Sequence, residues 1–351
     1  MIGSGRKAAS VRVRVFFRMM VLIGVLISAS ISLGAGPSNE ECFMCHSDKE
    51  LYKEGPDGKR ISLFVDEASF GASVHGKVSC ILCHSDISDL PHKEGGLKKV
   101  DCGRCHEEEA GQFADSIHFR ASRRGDVFAP VCKDCHGKHD ILPHEDPLSR
   151  SAKANVPNLC GTCHEGIKNE FQMSYHGQLL ARGDGRAPGC QDCHYSHRIT
   201  QAEGRIHRLA QANRCGGCHK EYFRTFRDTF HGKLTSLGEV AGAKCHDCHS
   251  AHSIFPAVDI RSTVHKQNLL ATCRKCHTNA PENFVTYMPH ADIHDPRKPL
   301  LYYANLFMVG LLVLTFGFFG LHTLLWLNRL VWEFVLRKKG DGGGKGGDFR
   351  G

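Results

Sequence analysis

The chain has 351 residues with 18 cysteines and 24 histidines, and its formal net charge is +8. Residues 1–35 hold five basic and no acidic side chains, and the residues after Leu300 hold six basic and three acidic ones. The stretch between these two ends is therefore near neutral, which excludes an inference of nucleic-acid binding from the charge. The density of cysteine and histidine is far above ordinary usage and points to bound metal or cofactor.

The first 35 residues have the pattern of an export signal. An apolar run from Met19 to Leu33 follows a basic start, and Leu33-Gly34-Ala35 offers small residues for cleavage. An uncleaved N-terminal anchor is the alternative, but we expect cleavage because polar sequence begins directly after residue 35. Residues 1–35 are therefore predicted to be a signal peptide. Its basic residues are Arg6, Lys7, Arg12, Arg14 and Arg18.

All 18 cysteines fall into nine copies of one motif, Cys-x-x-Cys-His, so none is left for a separate disulfide or a lone thiol nucleophile. The copies are Cys42/Cys45/His46, Cys80/Cys83/His84, Cys102/Cys105/His106, Cys132/Cys135/His136, Cys160/Cys163/His164, Cys190/Cys193/His194, Cys215/Cys218/His219, Cys245/Cys248/His249 and Cys273/Cys276/His277.

This motif is the attachment site of c-type haem. Two thiols one turn apart add to the two vinyl groups of the porphyrin, and the adjacent imidazole takes one axial position on the iron. The alternatives are zinc sites, which need tetrahedral sets from two pairs, and redox dithiols, which occur once rather than nine times. The sequence therefore predicts nine covalently bound haem c groups, with the nine motif histidines as proximal ligands.

The motifs form a repeat. Those that begin at Cys102, Cys160, Cys215 and Cys273 follow one another at intervals of 58, 55 and 58 residues. A lone histidine lies 12 or 13 residues after each of their motif histidines, namely His118, His176, His231 and His290. We expect each motif to lie at a helix start, with the lone histidine about three turns later.

A second kind of motif carries Asp before its second cysteine and a further histidine three residues after the motif histidine. It occurs at Cys132, Cys190 and Cys245, and the further histidines are His139, His197 and His252. Such a histidine cannot reach the far side of its own haem. We therefore expect it to bind a neighbouring haem and to hold two haems as a close pair.

Nine irons need nine further axial ligands unless one stays open for a substrate. Methionine is nearly excluded, because only Met173 and Met288 lie outside the leader, the motifs and the apolar C-terminal run. The repeat assigns the distal positions to His75, His92, His118, His139, His176, His197, His231, His252 and His290. Five other histidines are expected to be solvated or to bind propionates, namely His144, His207, His246, His265 and His294.

Residues 36–298 are predicted to form one periplasmic domain. With fewer than about thirty residues for each haem, the chain is too short to build an independent apolar core around every cofactor. We expect a mostly α fold with long loops, extended in shape, in which the haems themselves form the core.

Residues 299–333 are predicted to be a transmembrane anchor, because the run from Leu300 to Leu327 is long and apolar enough to span a bilayer. A buried helix of a soluble domain is the alternative. Basic residues after the run place the tail, residues 334–351, in the cytoplasm and the haem domain in the periplasm. The interfacial aromatic residues are Tyr302, Tyr303, Trp326 and Trp332, and the basic residues are Arg329, Arg337, Lys338 and Lys339.

His322 lies inside the predicted span and shares one helix face with Thr315 and Arg329. Gly310 and Gly317 allow close approach of another helix. Both features point to a membrane partner. His322 has two interpretations of equal weight: contact with a b-type haem or quinone at that interface, or an inter-helix hydrogen bond.

The repeated Cys-x-Asp-Cys-His-x-x-His motifs resemble the doubled Cys-x-x-Cys-His class of multihaem c-type cytochromes, over residues 42 to 294. The segment FFGLHTLLWLNRL is similar to the anchor of respiratory cytochromes that pair with a cytochrome b-type membrane subunit in anaerobic bacteria. The resemblance implies electron transfer between the quinone pool and periplasmic redox proteins in anaerobic respiration. The anchor is C-terminal, unlike that of the quinol dehydrogenases with an N-terminal anchor, so their quinone-site residues are not carried over.

Two functions remain. The favoured one is an electron conduit without catalytic residues, with nine hexacoordinate haems, anchored in the inner membrane by one span. The rival is a multihaem reductase or oxidase of a small nitrogen or sulfur compound, which needs one open iron. Resembling enzymes often mark that iron by Lys in place of the motif histidine, and all nine motifs here end in His.

Overall fold

The structure, a computed structural model, describes residues 36–55, 58–93 and 96–341. The predicted signal peptide and the last ten residues lie outside that part of the chain. The described residues divide into two units, the first ending at Ala202 and the second beginning at Glu203. Both are mostly helical with long loops, which confirms the predicted fold class.

The first unit contains short helices and one small sheet. Strands β1 (Tyr52–Glu54) and β2 (Arg60–Ser62) pair antiparallel, with Lys53 opposite Ile61. A 3-10 helix covers Cys102–Arg104. The α-helices are α1 (Asn39–His46), α2 (Glu67–Ala72), α3 (Cys80–Cys83), α4 (Glu107–Ala114), α5 (Ile117–Arg123), α6 (Cys132–His136), α7 (Val156–Gly161), α8 (Glu165–Met173), α9 (Tyr175–Ala181) and α10 (Cys190–His194).

The second unit repeats this pattern and ends in a long helix. Its short helices are α11 (Arg205–Cys218), α12 (Lys220–Asp228), α13 (Phe230–Ser236), α14 (Cys245–His249) and α15 (Leu269–Arg274). A second 3-10 helix covers Glu282–Thr286, and α16 runs over Pro299–Asp341.

Three of the lone histidines, His118, His176 and His231, lie at the start of separate short helices. Buried Ser116 and Ser174, and Thr229 in the second unit, accept a hydrogen bond from the backbone N–H three residues on and so cap α5, α9 and α13. His118, the second residue of α5, therefore has its backbone fixed by this cap. The Ser-x-His or Thr-x-His pattern thus sets the position of these three histidines, whereas His290 follows Met288 and Pro289 and lies outside the helices.

The expectation that every motif lies at a helix start is wrong for four motifs. Those at Cys42, Cys160, Cys215 and Cys273 lie at the end of a helix, whereas those at Cys80, Cys132, Cys190 and Cys245 begin one. The reason is visible at His164 and His219, each of which is the N-cap of the helix that follows. The motif turn therefore connects two helices in these repeats.

Two loops that lead from one motif to the next are held by the same set of side-chain hydrogen bonds. Buried Ser149 donates a hydrogen bond to the Leu142 carbonyl at 3.2 Å, and buried Ser262 donates to the Phe255 carbonyl, also at 3.2 Å. The Asn155 amide donates to the Ser149 carbonyl, and the Asn268 amide to the Ser262 carbonyl. These bonds hold the loops against α7 and α15, which carry the next motifs.

The apolar core of the described chain is small. Its buried hydrophobic side chains are Ala152, Leu180 and Ala187 in the first unit and Ala212, Phe226, Phe255 and Ala280 in the second. Four of these seven are alanines, which bury little area each. Packing between the chain's own side chains therefore contributes little to stability for a protein of this length.

Helix α16 has the length and composition of a membrane span. Residues Pro299–Leu336 have a mean hydropathy of 2.0 in their most apolar window, and none of that window is buried by the described chain. At about 1.5 Å per residue this segment exceeds the roughly 30 Å hydrocarbon core of a bilayer. It contains the predicted anchor (299–333), and the helix continues to Asp341. A single-pass membrane anchor is consistent with this helix.

The close approach of α9 to α8 predicts a sensitive glycine. A Cβ at Gly177 would overlap the Phe171 carbonyl oxygen, whereas a Cβ at Gly166 of α8 would meet open space. We expect Gly177→Ala to lower the free energy of unfolding by about 1–3 kcal/mol through overpacking. The matched Gly166→Ala should stabilise the protein by up to about 1 kcal/mol. Thermal unfolding followed by circular dichroism measures both, and equal midpoints for the two variants would contradict this packing.

Candidate haem sites

The motif turn brings two cysteines and a histidine to one side of the backbone. In the repeats at Cys102, Cys160 and Cys215, the N–H of the motif histidine donates to the carbonyl of the first cysteine, at 3.0, 2.9 and 2.9 Å. Side chains at positions i, i+3 and i+4 share one face of such a turn. The two thiols and the imidazole are therefore presented together, as thioether attachment and axial ligation require.

The second cysteine of a motif is held by the same turn. The N–H groups of Cys105, Cys163 and Cys276 donate to the carbonyl of the first cysteine of their motifs, each at 3.2 Å. These bonds place the second thiol on the same face as the first. The predicted thioether role of the second cysteines agrees with this placement and stays a prediction.

The structure separates the second cysteines into two groups, although the sequence predicts one role for all nine. Six of them are exposed, namely Cys45, Cys83, Cys105, Cys163, Cys218 and Cys276. The three of the second-kind motifs are half-buried, namely Cys135, Cys193 and Cys248. Burial raises the pKa of the Cys135 and Cys248 thiols, so these two stay protonated more firmly than an exposed thiol.

The Asp of the second kind of motif caps its own helix. The Asp134 carboxylate accepts from the Val131 N–H at 2.8 Å, and Asp192 and Asp247 accept from the residue before their first cysteine at 2.7 and 2.8 Å. A five-residue helix has few internal hydrogen bonds, so this cap stabilises the motif turn. The sequence contained this signal, but its physical role emerges only from the structure.

A left-handed residue follows each of these motif helices. Gly137, Tyr195 and Ser250 have φ values of 90°, 65° and 70°. For Tyr195 and Ser250 this conformation costs on the order of 1 kcal/mol. It turns the chain away from the motif helix, and His139 and His197, three residues after their motif histidines, lie beside a different motif.

Among the residues that the structure describes, seven pairs of imidazole rings each join one motif histidine to one histidine outside the motifs. Their ring centroids are 5.9–6.3 Å apart. The pairs are His46–His92, His106–His75, His84–His139, His164–His118, His136–His197, His277–His231 and His249–His290. All seven partners belong to the nine histidines that the repeat assigned to distal positions.

The separation within these pairs fits one metal ion between two imidazoles. A ligating nitrogen lies about 2 Å from a first-row metal ion and about 1 Å from the centroid of its own ring, so two opposed imidazoles place their centroids about 6 Å apart. A haem iron has two opposed axial positions of this kind. Each pair therefore has the spacing that a haem with two histidine ligands needs.

The pairs follow two rules along the chain. His139, three residues after His136, faces His84, and His197 faces His136, so this kind of histidine serves an earlier motif. A lone histidine faces the motif histidine of the next repeat instead: His118 faces His164, and His231 faces His277.

His290 departs from the alignment made on the sequence. It was grouped with the lone histidines because it lies 13 residues after His277, but its ring faces His249 of a second-kind motif at 6.3 Å. The distance of His290 from His277 therefore does not indicate which motif histidine its ring lies against, because no motif follows Cys273.

Burial favours the neutral form of seven of these imidazoles. It lowers the pKa of three motif histidines and of four facing histidines, and the facing imidazole lowers the pKa of His136 and His249 further. The seven whose pKa burial lowers are His84, His136, His249, His118, His139, His231 and His290. A neutral imidazole has a free lone pair for a metal ion. At His46, Nδ1 donates to the Leu63 carbonyl at 2.8 Å, which leaves Nε2 as the ligating nitrogen.

The five histidines that are expected not to ligate iron contact other groups. His144 is largely exposed and lies 3.0 Å from Glu145, and buried His207 bonds the Gln211 amide at 2.8 Å. His246 lies beside Asp247, His265 accepts from the Gln267 N–H, and the His294 N–H donates to Asp292. Their role outside iron ligation stays a prediction.

The first cysteines of successive motifs also meet. The thiols of Cys42 and Cys80, of Cys102 and Cys132, of Cys160 and Cys190, and of Cys215 and Cys245 are hydrogen-bonded. All eighteen cysteines lie in the described part of the chain, and no two of them form a disulfide. These cysteines would hold the haems of two motifs close to one another, and no motif or spacing in the sequence indicates these contacts.

A bare metal centre does not fit the same residues. Across the described ranges, no three or more His, Cys, Asp or Glu side chains converge as ligands of one metal ion. Zinc in a structural site needs four such ligands in a tetrahedron. The donor geometry therefore fits haem, which supplies four nitrogens of its own, and does not fit zinc.

Residues 125–169 match the family model described as "Doubled CXXCH motif". The matched segment contains the motifs at Cys132 and Cys160. These observations support a multihaem c-type cytochrome with covalently bound haem c. No curated protein and no solved structure matches the chain. The doubled motif is the one known in electron-transfer cytochromes, so electron transfer is the broad function that the match supports.

Proposed function

We propose that the chain carries nine haem c groups, one at each motif, and passes electrons between a membrane cytochrome b and periplasmic redox proteins. The observation that carries this proposal is the set of seven imidazole pairs at the spacing of one iron. His176 and His252 hold the same places in their repeats as His118 and His139, and we assign them the same distal role. Each haem supplies one iron that cycles between ferric and ferrous states.

Two histidine ligands on each iron leave no position for a substrate. An enzyme that reduces a small nitrogen or sulfur compound needs an iron with one open axial position. In all seven described pairs the second imidazole already stands opposite the motif histidine. This arrangement favours an electron carrier over a reductase or oxidase.

The positions of the attachment and ligand residues support close spacing of the haems. His136 and His139 are three residues apart but belong to two different imidazole pairs, so two irons are tied to one short turn. Cys102 and Cys132 bring the edges of the two haems attached at those motifs together. Electrons therefore pass between neighbouring haems without leaving the domain.

The haems also account for the small apolar core. A porphyrin is a large flat apolar group, and nine of them replace the buried side chains that a chain of this length otherwise needs. We propose that residues 36–298 form this periplasmic haem domain, and that residues 1–35 are removed as a signal peptide.

The orientation in the membrane follows from the flanks of α16. Tyr302 and Tyr303 lie near one end of the span and Trp326 and Trp332 near the other, and basic residues follow. By the positive-inside rule, the tail from residue 334 onward lies in the cytoplasm and the haem domain in the periplasm of an anaerobically respiring bacterium. His322, within the span, is the residue we assign to the interface with the cytochrome b partner or its quinone.

Removal of one distal histidine tests the ligand pairs. His139→Ala takes away the partner of His84, so one haem should become high-spin and bind carbon monoxide when reduced. His144→Ala is the matched control, because His144 lies in the following loop, exposed and beside Glu145. Absorption and EPR spectra of the purified proteins measure both. A low-spin spectrum for the His139 variant, or a high-spin signal in the control, contradicts the assignment.

The proposed partner is tested by purification in mild detergent. We expect a b-type haem to co-elute with the full chain and a quinol analogue to reduce the c-type haems of that complex. If the chain purifies alone, and no quinol reduces it in native membranes, the partner proposal is wrong. A wild-type protein with a high-spin haem that binds nitrite or hydroxylamine would instead support the enzyme.

A further inference from the structure

The motif at Cys245, the last of the second kind, is faced by a histidine that belongs to no second-kind motif. For His84 and His136, the facing histidine comes three residues after the histidine of a later second-kind motif. After Cys245 only the motif at Cys273 remains, and it lacks that further histidine. His249 faces His290 instead, in the segment between the second 3-10 helix and α16. No motif turn fixes this histidine, so something else must hold it.

Helix α12 holds His290 through Thr225. The Thr225 hydroxyl is 3.1 Å from His290 Nδ1, and Thr225 is only 6% exposed. The same hydroxyl lies 3.1 Å from the Tyr222 carbonyl and 3.2 Å from the Glu221 carbonyl, so its proton goes to one of these. Its oxygen is therefore an acceptor for the Nδ1–H of His290, beside the Tyr222 carbonyl that also bonds this imidazole, and Nε2 is the nitrogen available to a metal ion.

A second contact fixes the same segment. Arg224, the neighbour of Thr225, donates from both terminal nitrogens to the Asp292 carboxylate at 3.2 and 2.6 Å. Such a bidentate pair specifies geometry as well as charge. The Tyr222 ring packs edge-on against His290, with centroids 5.2 Å apart. Three side chains of α12, those of Tyr222, Arg224 and Thr225, thus contact His290 or Asp292.

We infer that Arg224 and Thr225 position His290 as the distal ligand of the haem at Cys245, and that the Thr225 hydroxyl lowers the reduction potential of that haem by accepting from Nδ1. This inference rests on the proposed haem attachment at that motif. An imidazole whose Nδ1–H donates to an acceptor gives more electron density to the iron, which favours the ferric state. The Leu63 carbonyl accepts from His46 Nδ1 in the same way.

The test uses the full-length, haem-loaded protein in detergent. Thr225→Val keeps the shape but removes the acceptor oxygen, and Thr225→Ser keeps the oxygen. We expect Thr225→Val to move one reduction step of the potentiometric titration to a more positive potential and Thr225→Ser to leave all steps in place. If no step moves, if several move, or if the Ser variant moves as far as the Val variant, the role of the hydroxyl is overturned.

The ion pair is tested separately. Arg224→Gln should convert the haem ligated by His249 from low-spin to a partly high-spin form that binds cyanide. Arg186→Gln is the matched control, because Arg186 makes a similar bidentate pair with Asp184 on the surface of the first unit. An unchanged spectrum of the Arg224 variant, or loss of haem from it or from Thr225→Val, contradicts a positioning role.

The same samples separate this inference from the proposed function. A wild-type haem content below nine per chain, or a high-spin wild-type haem, counts against the proposed function. A wild type with nine low-spin haems whose spectrum and potentials do not respond at Thr225 or Arg224 counts only against the inference.

Discussion

A haem iron has two axial positions, and the histidine of an attachment motif fills only one of them. The second ligand must come from elsewhere in the chain and must stand about 4 Å across the porphyrin from the first, nitrogen to nitrogen. The described structure fits this requirement. Each imidazole pair ties a motif to a different segment, as His197 ties its own turn to His136, and the repeats are connected through these pairs more than through buried apolar side chains.

Helix caps and turn residues help to place the histidines of each pair. Ser116, Ser174 and Thr229 cap the short helices that begin with the lone histidines, and Asp134, Asp192 and Asp247 cap the second-kind motifs. Left-handed residues such as Tyr195 turn the chain so that the next histidine faces another motif. These devices stabilise helices that are too short to persist alone. The chain thus relies on caps and ligand pairs where a larger protein relies on a core.

The sequence predicts the attachment sites because the motif itself contains the groups that attachment needs, two thiols and an imidazole in one turn. The repeat also indicates the facing histidines, since His118 and His231 recur at one distance from their motifs. It could not predict that each faces the following repeat, because spacing along a chain carries no information on which turn lies opposite. The same limit applies to His290, whose ring lies against His249 of a second-kind motif. Thr225 escaped notice because a single hydroxyl has no repeating counterpart.

The central claim is that each imidazole pair encloses one iron, and an experimental structure of the haem-loaded protein tests it most directly. The iron positions can be located independently by anomalous scattering at the iron edge. We expect one iron midway between the two rings of each of the seven pairs, for example between His84 and His139, and two further irons at the motifs of His194 and His219. An iron bound by its motif histidine alone, with the facing imidazole turned away, would contradict the account.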